Sequence, residues 1–319
     1  MNIKTLLWTY IVKPIKNLGG DKGKIRRQWK QIMGYDLDLS NPRTFNEKIQ
    51  YLKLLERKPE YTVMVDKYAA KQWIADRVGE EYVPKLLGVW NRAEDIDFDT
   101  LPDRFVLKTT HDSGGVIVVK NKANLDKGNA MCFLDRHLKY SHADAFQEKV
   151  YKHIPRRIIA EEFISDDDDF NTPARDYKFF CFNGMPKFAK VDKDRFSEHR
   201  ASYFSLEPWQ PLSFREDCYP PLEHPEAEPQ PNQLHDMLRI AHKLSEGLPL
   251  LRVDFFVNKE RLYVGELTFF PGAGHNKLTP IESEYEVGNM IDLSAWREYS
   301  GGIYLYIKKL RSVLGLKGI

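Results

Sequence analysis

Two apolar runs near the C-terminal end carry charges that the fold must accommodate. Leu250 to Val257 reads Leu-Leu-Arg-Val-Asp-Phe-Phe-Val, and Leu262 to Phe270 reads Leu-Tyr-Val-Gly-Glu-Leu-Thr-Phe-Phe. Both are rich in the Val, Leu, Phe and Tyr that favour strands. Arg252, Asp254 and Glu266 sit inside them, and buried charges are costly unless they are paired or bind a metal. Asn258-Lys259-Glu260-Arg261 is a polar connection short enough for a hairpin. Side chains alternate between sheet faces, so Arg252 and Asp254 share one face, as do Glu266 and Thr268 on the second strand. Hairpin pairing can bring the two sets together as one polar patch. Two carboxylates offer the hard oxygens that suit Mg²⁺ with its retained waters and bridged phosphates. The arginine can hold phosphate oxygens or a developing oxyanion. The competing reading is a structural ion pair of Arg252 with Asp254 or Glu266. The turn Pro271-Gly272-Ala273-Gly274 favours the ligand site, because glycine lets a backbone approach a ligand closely.

The 319 residues allow two or three subdomains around a sizeable core. With 42% hydrophobic and 29% charged residues and a net charge of +2, the composition is that of a soluble globular chain and not of a dedicated nucleic-acid binder. Cys132, Cys181 and Cys218 are widely spaced with no CxxC, which argues against a disulfide framework or zinc site and fits a reducing cytoplasm. No apolar run approaches bilayer-spanning length, and no small-residue cleavage site follows the first apolar run. Residues 1–33 are basic, with Lys4, Lys13, Lys16, Lys22, Lys24, Arg26, Arg27 and Lys30 against Asp21, among Leu6, Leu7, Trp8, Tyr10, Ile11 and Val12. Such a segment either docks on its own domain or lies on an anionic membrane surface.

Local signals order the remainder. Thr44-Phe45-Asn46-Glu47 is a capping box that opens a helix over 40–58, with Phe45, Ile49, Leu52 and Leu55 at helical spacing. A second helix is expected over 63–78, ending at Gly79, with Asp66, Lys67 and Lys71 near its start. Strands are expected over 104–110 and 116–120, around the glycine-bearing loop His111-Asp112-Ser113-Gly114-Gly115. That loop is either a plain hairpin turn or a phosphate cradle of backbone N–H groups. Lys108 lies in the apolar strand before it, as a phosphate ligand or a water-facing edge residue. Residues 124–140 read as a helix, 157–164 as a strand, and Asp166 to Asp169 as a solvated acidic run. Arg175 to Phe182 leads into Asn183-Gly184, a hairpin signal, and a return strand over 186–192 with Lys187 and Lys190. Residues 206–232 are proline-rich and read as irregular, 233–246 as a helix, and 288–319 as a largely helical tail.

This ordered set resembles the ATP-grasp superfamily over residues 66–280, and most closely its TupA-like group, associated with bacterial surface-polysaccharide gene clusters. The likeness rests on Lys108 with Gly114-Gly115, on Glu161-Glu162-Phe163-Ile164, on Lys178 before Asn183-Gly184, and on Arg252-Val253-Asp254 with Glu266. Phrases such as Thr44 to Lys48, Phe105 to Lys108 and Gly265 to Thr268 look like the TupA-like group. The resemblance implies an α+β ATP-grasp fold: two subdomains clamping a nucleotide, with a helical N-terminal region. Its parts are expected at 1–62 (helical region), 63–100 (N-terminal segment), 101–165 (lid) and 166–319 (metal-binding subdomain with a helical tail). Lys108 is implied at the α- and β-phosphates. Ser113, Gly114 and Gly115 close over the β- and γ-phosphates, and Glu161, Glu162, Phe163 and Ile164 line adenine, one glutamate reaching the ribose. Lys178 lies near the triphosphate, and Asp254 and Glu266 hold Mg²⁺. Arg252 stabilises the transferring group, which makes Arg252 and Lys178 the implied catalytic pair.

The likeness departs at Thr268, where many relatives carry asparagine, and this leaves the choice between one and two metals open. His275 and Lys277 either face an acceptor or lie on a surface loop. The implied activity is a cytoplasmic ATP- and Mg²⁺-dependent carboxylate–amine ligase working through an acyl phosphate. It would join a uronic-acid-containing surface polysaccharide or its precursor, through an amide, to an amino acid or amine. A glycan kinase, a glycosyltransferase of the same pathway and a non-catalytic binding module are the alternatives. No Ser/His/Asp or Cys/His arrangement competes with this chemistry.

Overall fold

The computed structural model describes residues 20–55, 58–165, 174–193, 198–258 and 261–294. The expectations for residues 1–19, the acidic run Asp166 to Asp169 and the tail beyond residue 294 lie outside the described residues. In chain order the helices are α1 (Gly20–Met33), α2 (Phe45–Leu52), α3 (Pro59–Val65), α4 (Ala69–Val78), α5 (Lys127–Lys139), α6 (His142–Phe146), α7 (Leu234–Ser245) and α8 (Glu282–Asn289). The strands are β1 (Leu86–Trp90), β2 (Phe105–Thr109), β3 (Val116–Val119), β4 (Ile158–Glu162), β5 (Arg175–Phe182), β6 (Met185–Lys193), β7 (Arg200–Leu206), β8 (Trp209–Pro211), β9 (Arg215–Glu216), β10 (Leu250–Asn258), β11 (Arg261–Thr268) and β12 (Leu278–Thr279).

The fold is α+β. One antiparallel sheet has the order β1-β4-β2-β3, a second the order β11-β10-β5-β6-β7-β8, and β9 pairs with β12. Helix α5 covers the smaller sheet, where Leu134 packs with Phe105, Leu107, Val119, Ile158 and Ala160. The amphipathic α7 covers the larger one. Its Met237, Ile240, Ala241 and Leu244 join Phe179, Cys181, Val253 and Phe255 in the main core. Phe179 and Phe255 meet edge to face at 5.2 Å. On the opposite face of this sheet, Phe180, Phe182 and Phe188 are apolar and the first two meet Phe45 of α2.

Several local expectations hold. Thr44 and Glu47 form the reciprocal capping box. Asn183 and Gly184 adopt φ of 51° and 80°, the left-handed pair that the tight turn requires. Helix α1 docks on its own domain through Ile25, Trp29 and Met33.

Others need correction. The single helix expected over 63–78 is two, because Asp66 caps α3 in an extended conformation and its Oδ1 accepts from Tyr68 N at 2.9 Å. The side chain competes with the helical backbone for that donor. The proline-rich stretch 206–232 contains β8 and β9, too short to show an alternation. Residues 290–293 are not helical; α8 ends at Asn289.

Phe179 is fully buried between α7 and β10. Phe179→Ala is expected to lower unfolding stability by about 3–5 kcal/mol, measured by chemical denaturation.

Candidate active site

The hairpin of β10 and β11 needs one extra residue to assemble its charges. At the tip Asn258 pairs with Arg261, and the register continues through Phe255 with Val264. Continued unbroken, it would pair Asp254 with Gly265 and turn Glu266 to the opposite face. A bulge at Gly265 instead pairs Asp254 with Glu266 and Arg252 with Thr268. Glycine is required there, since a Cβ would lie 2.3 Å from the Phe256 ring. The hairpin of β5 and β6 repeats the device. Its register shifts at Lys187, between Cys181 paired with Pro186 and Phe180 paired with Phe188, so that Lys178 faces Lys190 and Asp176 faces Asp192. Without those two bulges the charged residues would be split between the two faces.

The result is one ionic row across five strands, with Glu266, Asp254, Lys178, Lys190 and Tyr203 in register. Arg252 grips Asp254 with two bonds, Nε to Oδ1 at 2.6 Å and Nη2 to Oδ2 at 2.7 Å. Lys178 Nζ lies 2.5 Å from Asp176, 3.0 Å from Asp254 and 3.4 Å from Asp192. Lys190 Nζ meets Glu216 at 2.6 Å and Asp192 at 3.4 Å, and His199 approaches Asp192 at 3.1 Å. The ion-pair reading of Arg252 and Asp254 is therefore present in this state. Burial alone raises the Asp254 carboxyl, but Arg252 and then Lys178 outweigh it and hold it below the usual range. Lys178 is pushed up: burial opposes its charge, and Asp176, Asp254 and Asp192 prevail.

On the smaller sheet, Lys108 projects from β2 and Glu161 from β4. Lys108 Nζ lies 2.5 Å from Glu161 Oε2, and Lys71 Nζ of α4 lies 2.7 Å from Oε1. Burial raises the Glu161 carboxyl; Lys108 and Lys71 reverse it and keep it low. Lys71 is lowered, since burial outweighs Glu161. The side chain of Glu162 is turned to structure and accepts from Lys85 N at 2.7 Å. Phe163 and Ile164 are half-buried beyond it. Ser165 O then accepts from Asn258 Nδ2 at 2.5 Å, which ties the end of this segment to β10 of the larger sheet.

The glycine loop is anchored on all sides. Thr109 Oγ1 donates to Asp112 Oδ1, whose other oxygen lies 2.5 Å from His137 Nδ1. Thr110 Oγ1 donates to Pro155 O at 2.9 Å, and a ring nitrogen of His111 lies 3.1 Å from Tyr140 O. A Cβ on Gly115 would lie 1.8 Å from Thr109 Oγ1, so glycine is required for the turn to close. Only Ser113 and Gly114 are exposed at the tip, and Gly114 has φ of 99°.

Lys67 joins the two halves. Its Nζ donates to Asp112 O of the glycine loop at 2.5 Å and lies 3.6 Å from Glu266 Oε1. Lys67 and Lys71 carry no role in the sequence reading, because a basic pair at a helix start is ordinary. The break at Asp66 is what aims them into a cleft that they line together with Glu161, Gly265 and Glu266. The donor set also fits a hard cation. Asp254 and Glu266 are directly opposed, and Thr268 Oγ1 beside them is buried without a hydrogen-bond partner. No cluster of three or more His, Cys, Asp or Glu ligands occurs among the described residues, so such a cation would keep waters or phosphate oxygens. His275 stands apart, packed near Gln50 and Trp29. Burial and then Lys53 lower its pKa to about 4. Lys277 is exposed on the β12 approach.

A model of the family described as TupA-like ATPgrasp matches residues 47–292. No curated protein matches the chain. Among solved structures, the chain is similar to an N5-carboxyaminoimidazole synthetase from Staphylococcus aureus complexed with ADP, at 13% identity and a TM-score of 0.39, over 65% of this chain and 44% of that one. It is also similar to D-alanine–D-alanine ligases. The one from Bacillus anthracis is 15% identical with a TM-score of 0.43, over 75% and 69%. The one from Helicobacter pylori is 17% identical with a TM-score of 0.38, over 72% and 61%. The chain thus spans less than two thirds of two of these three proteins.

Acid sensitivity follows from the lowered groups. Between pH 6.5 and about 4 the unfolded chain binds a proton at His275 that the folded chain refuses, so stability falls across that window. Asp254 and Glu161 hold folded-state pKa values below their unfolded ones, so their contribution is present above about pH 4 and lost below it. Denaturation midpoints measured against pH are expected to fall on acidification from 6.5, and His275→Gln to remove the upper part of that fall.

Proposed function

The chain belongs to the TupA-like ATP-grasp family, and from that premise we propose that it is an ATP-dependent carboxylate–amine ligase acting through an acyl phosphate. The observation that carries the reading is Lys67 Nζ, in contact with the glycine loop and 3.6 Å from Glu266. One cation thereby touches both walls of a cleft lined with the residues that phosphate chemistry needs. In this reading the carboxylate substrate attacks the γ-phosphorus and ADP leaves; the amine then attacks the acyl carbon and phosphate leaves.

Such transfer depends on positioning and charge neutralisation more than on a protein nucleophile. Lys108 and Lys67 draw the phosphates to the smaller sheet and loop, and the backbone at Ser113, Gly114 and Gly115 cradles their terminal oxygens. Arg252 and Lys178 exchange part of their hold on Asp254 for the negative charge of the transferring group. Glu161 to Ile164 border the adenine. Asp254, Glu266 and Thr268 are the residues that would hold Mg²⁺, which would supply positive charge to offset that of the phosphates.

The carboxylate is proposed to lie on a uronic-acid-containing surface glycan or its precursor, with an amino acid or amine as acceptor. A reducing cytoplasm suits the three free cysteines, of which Cys181 is pushed by burial to about 12 and is inert. No described helix is long and apolar enough to cross a membrane. The exposed face of α1 bears Lys22, Arg26, Arg27 and Lys30 beside Ile32, 48% exposed, and supports peripheral contact with an anionic inner membrane surface.

Asp254→Asn and Glu266→Gln are each expected to lower ATP turnover by about 10²–10³-fold. Gly115→Ala is expected to weaken ATP binding about tenfold or more. Mass spectrometry of products from ATP, Mg²⁺ and a capsule or wall precursor pool reads the chemistry. An amide bears the proposal out, whereas a phosphoglycan without amide overturns it. Sedimentation with phosphatidylglycerol vesicles at low salt is expected to retain the chain, and Lys22→Glu with Arg26→Glu to release it.

A further inference from the structure

Helix α2 carries a polar row that the proposed chemistry leaves unused. Asn46, Gln50 and Lys53 follow at spacings of four and three residues, which places them on one helical face. Each is only 1% exposed. Polar groups this deeply buried persist when their hydrogen bonds are met, and here one short stretch of backbone takes a donor from each of the three, Lys53 Nζ also reaching Phe146 O at 3.0 Å and Glu148 at 3.8 Å. Asn46 Nδ2 donates to Asn276 O at 2.7 Å, Gln50 Nε2 to Ala273 O at 3.0 Å and Gly274 O at 2.8 Å, and Lys53 Nζ to Ala273 O at 2.7 Å. Asn46 also donates to Glu284 Oε1 at 2.6 Å, which accepts from Leu278 N at 2.8 Å. The far flank of the stretch is fixed by the same helix.

The gripped segment begins three residues after Thr268. Gly272, Ala273 and Gly274 adopt φ of 56°, 51° and 64° in succession. An alanine enters that region only where its surroundings impose it. His275 follows, with Nδ1 buried and lacking a hydrogen-bond partner. Beyond it, β12 pairs with β9, where Thr279 faces Arg215 and Asp217 N donates to Lys277 O at 2.9 Å.

We propose that Asn46, Gln50 and Lys53 are positioning residues that hold the 271–276 turn where it aligns the incoming amine with the activated carboxylate. This rests on the ligase reading. The three side chains act through the turn and touch none of the residues assigned to the nucleotide. Their loss uncouples the two halves of the reaction: acyl phosphate still forms, but water takes the place of the misaligned amine.

The test uses the full chain, MgATP, a uronic-acid oligosaccharide and a mixture of amino acids. Gln50→Leu removes both donors at nearly constant volume. It is expected to leave the KM for ATP and the Kd for MgADP within about twofold of the parent, while amide formed per ADP released falls about 100-fold. Hydroxylamine, which traps acyl phosphate without alignment, is expected to yield parental amounts of hydroxamate. Lys53→Arg restores the coupling that Lys53→Met loses. Gly274→Ala pushes on the contact from the other side, because its Cβ would lie 2.6 Å from Gln50 Nε2 and 2.7 Å from Ile49 Cγ2. It is expected to uncouple in the same way, and it serves if Gln50→Leu does not fold. An equal fall in nucleotide binding and product, or an unchanged amide yield, overturns the proposal. If the parent chain forms no amide, the ligase reading falls instead, and the same coupling ratio is taken on the product it does form.

Discussion

The alternation of charge along one face of the larger sheet is the constraint on which the cleft depends. Arg252, Asp254, Lys178, Asp192, Lys190 and Glu216 lie largely out of water, and each is held by an opposite charge on its own or another strand. Removing one member leaves its partner buried and uncompensated, a larger loss than the pair itself is worth. The same arrangement makes the face responsive. In the proposed reading, a phosphate at Arg252 or a cation at Asp254 would take the place of a partner of the same charge sign.

The smaller sheet meets this face with the opposite strategy. Its glycine loop has few internal options, because Thr109, Thr110 and Asp112, and one ring nitrogen of His111, bond to the scaffold. Ser113 and Gly114 alone remain free to adapt at the tip. A turn fixed in this way loses little conformational entropy when a ligand arrives.

Much of this was legible in the chain. The capping box at Thr44 and Glu47, the turn at Asn183-Gly184 and the facing of Arg252 with Asp254 are local signals, and local chemistry decides them. The bulges were not legible, because a single extra residue leaves the alternation on each side intact and shifts only the phase between them. Gly265 hints at one; Lys187 hints at nothing. Lys67 and Lys71 were hidden for a related reason. Their periodicity continues a helix that the side chain of Asp66 interrupts, and that interruption turns them toward Glu266 and Glu161. The buried row Asn46, Gln50 and Lys53 reads as a solvent face in sequence; only the carbonyls across from it identify it as interior.

The odd residue at Gly265 also divides the late hairpin into two separately indexed ladders. Beyond it, toward the tip, the strands keep one register; before it, toward Thr268, they keep another. Lengthening or trimming the tip therefore leaves the carboxylates where they are. Deleting Gly265, or inserting one residue between it and Glu266, would instead send Glu266 to the face that packs on α7. Two kinds of length change, a few residues apart, thus have opposite tolerances in this hairpin.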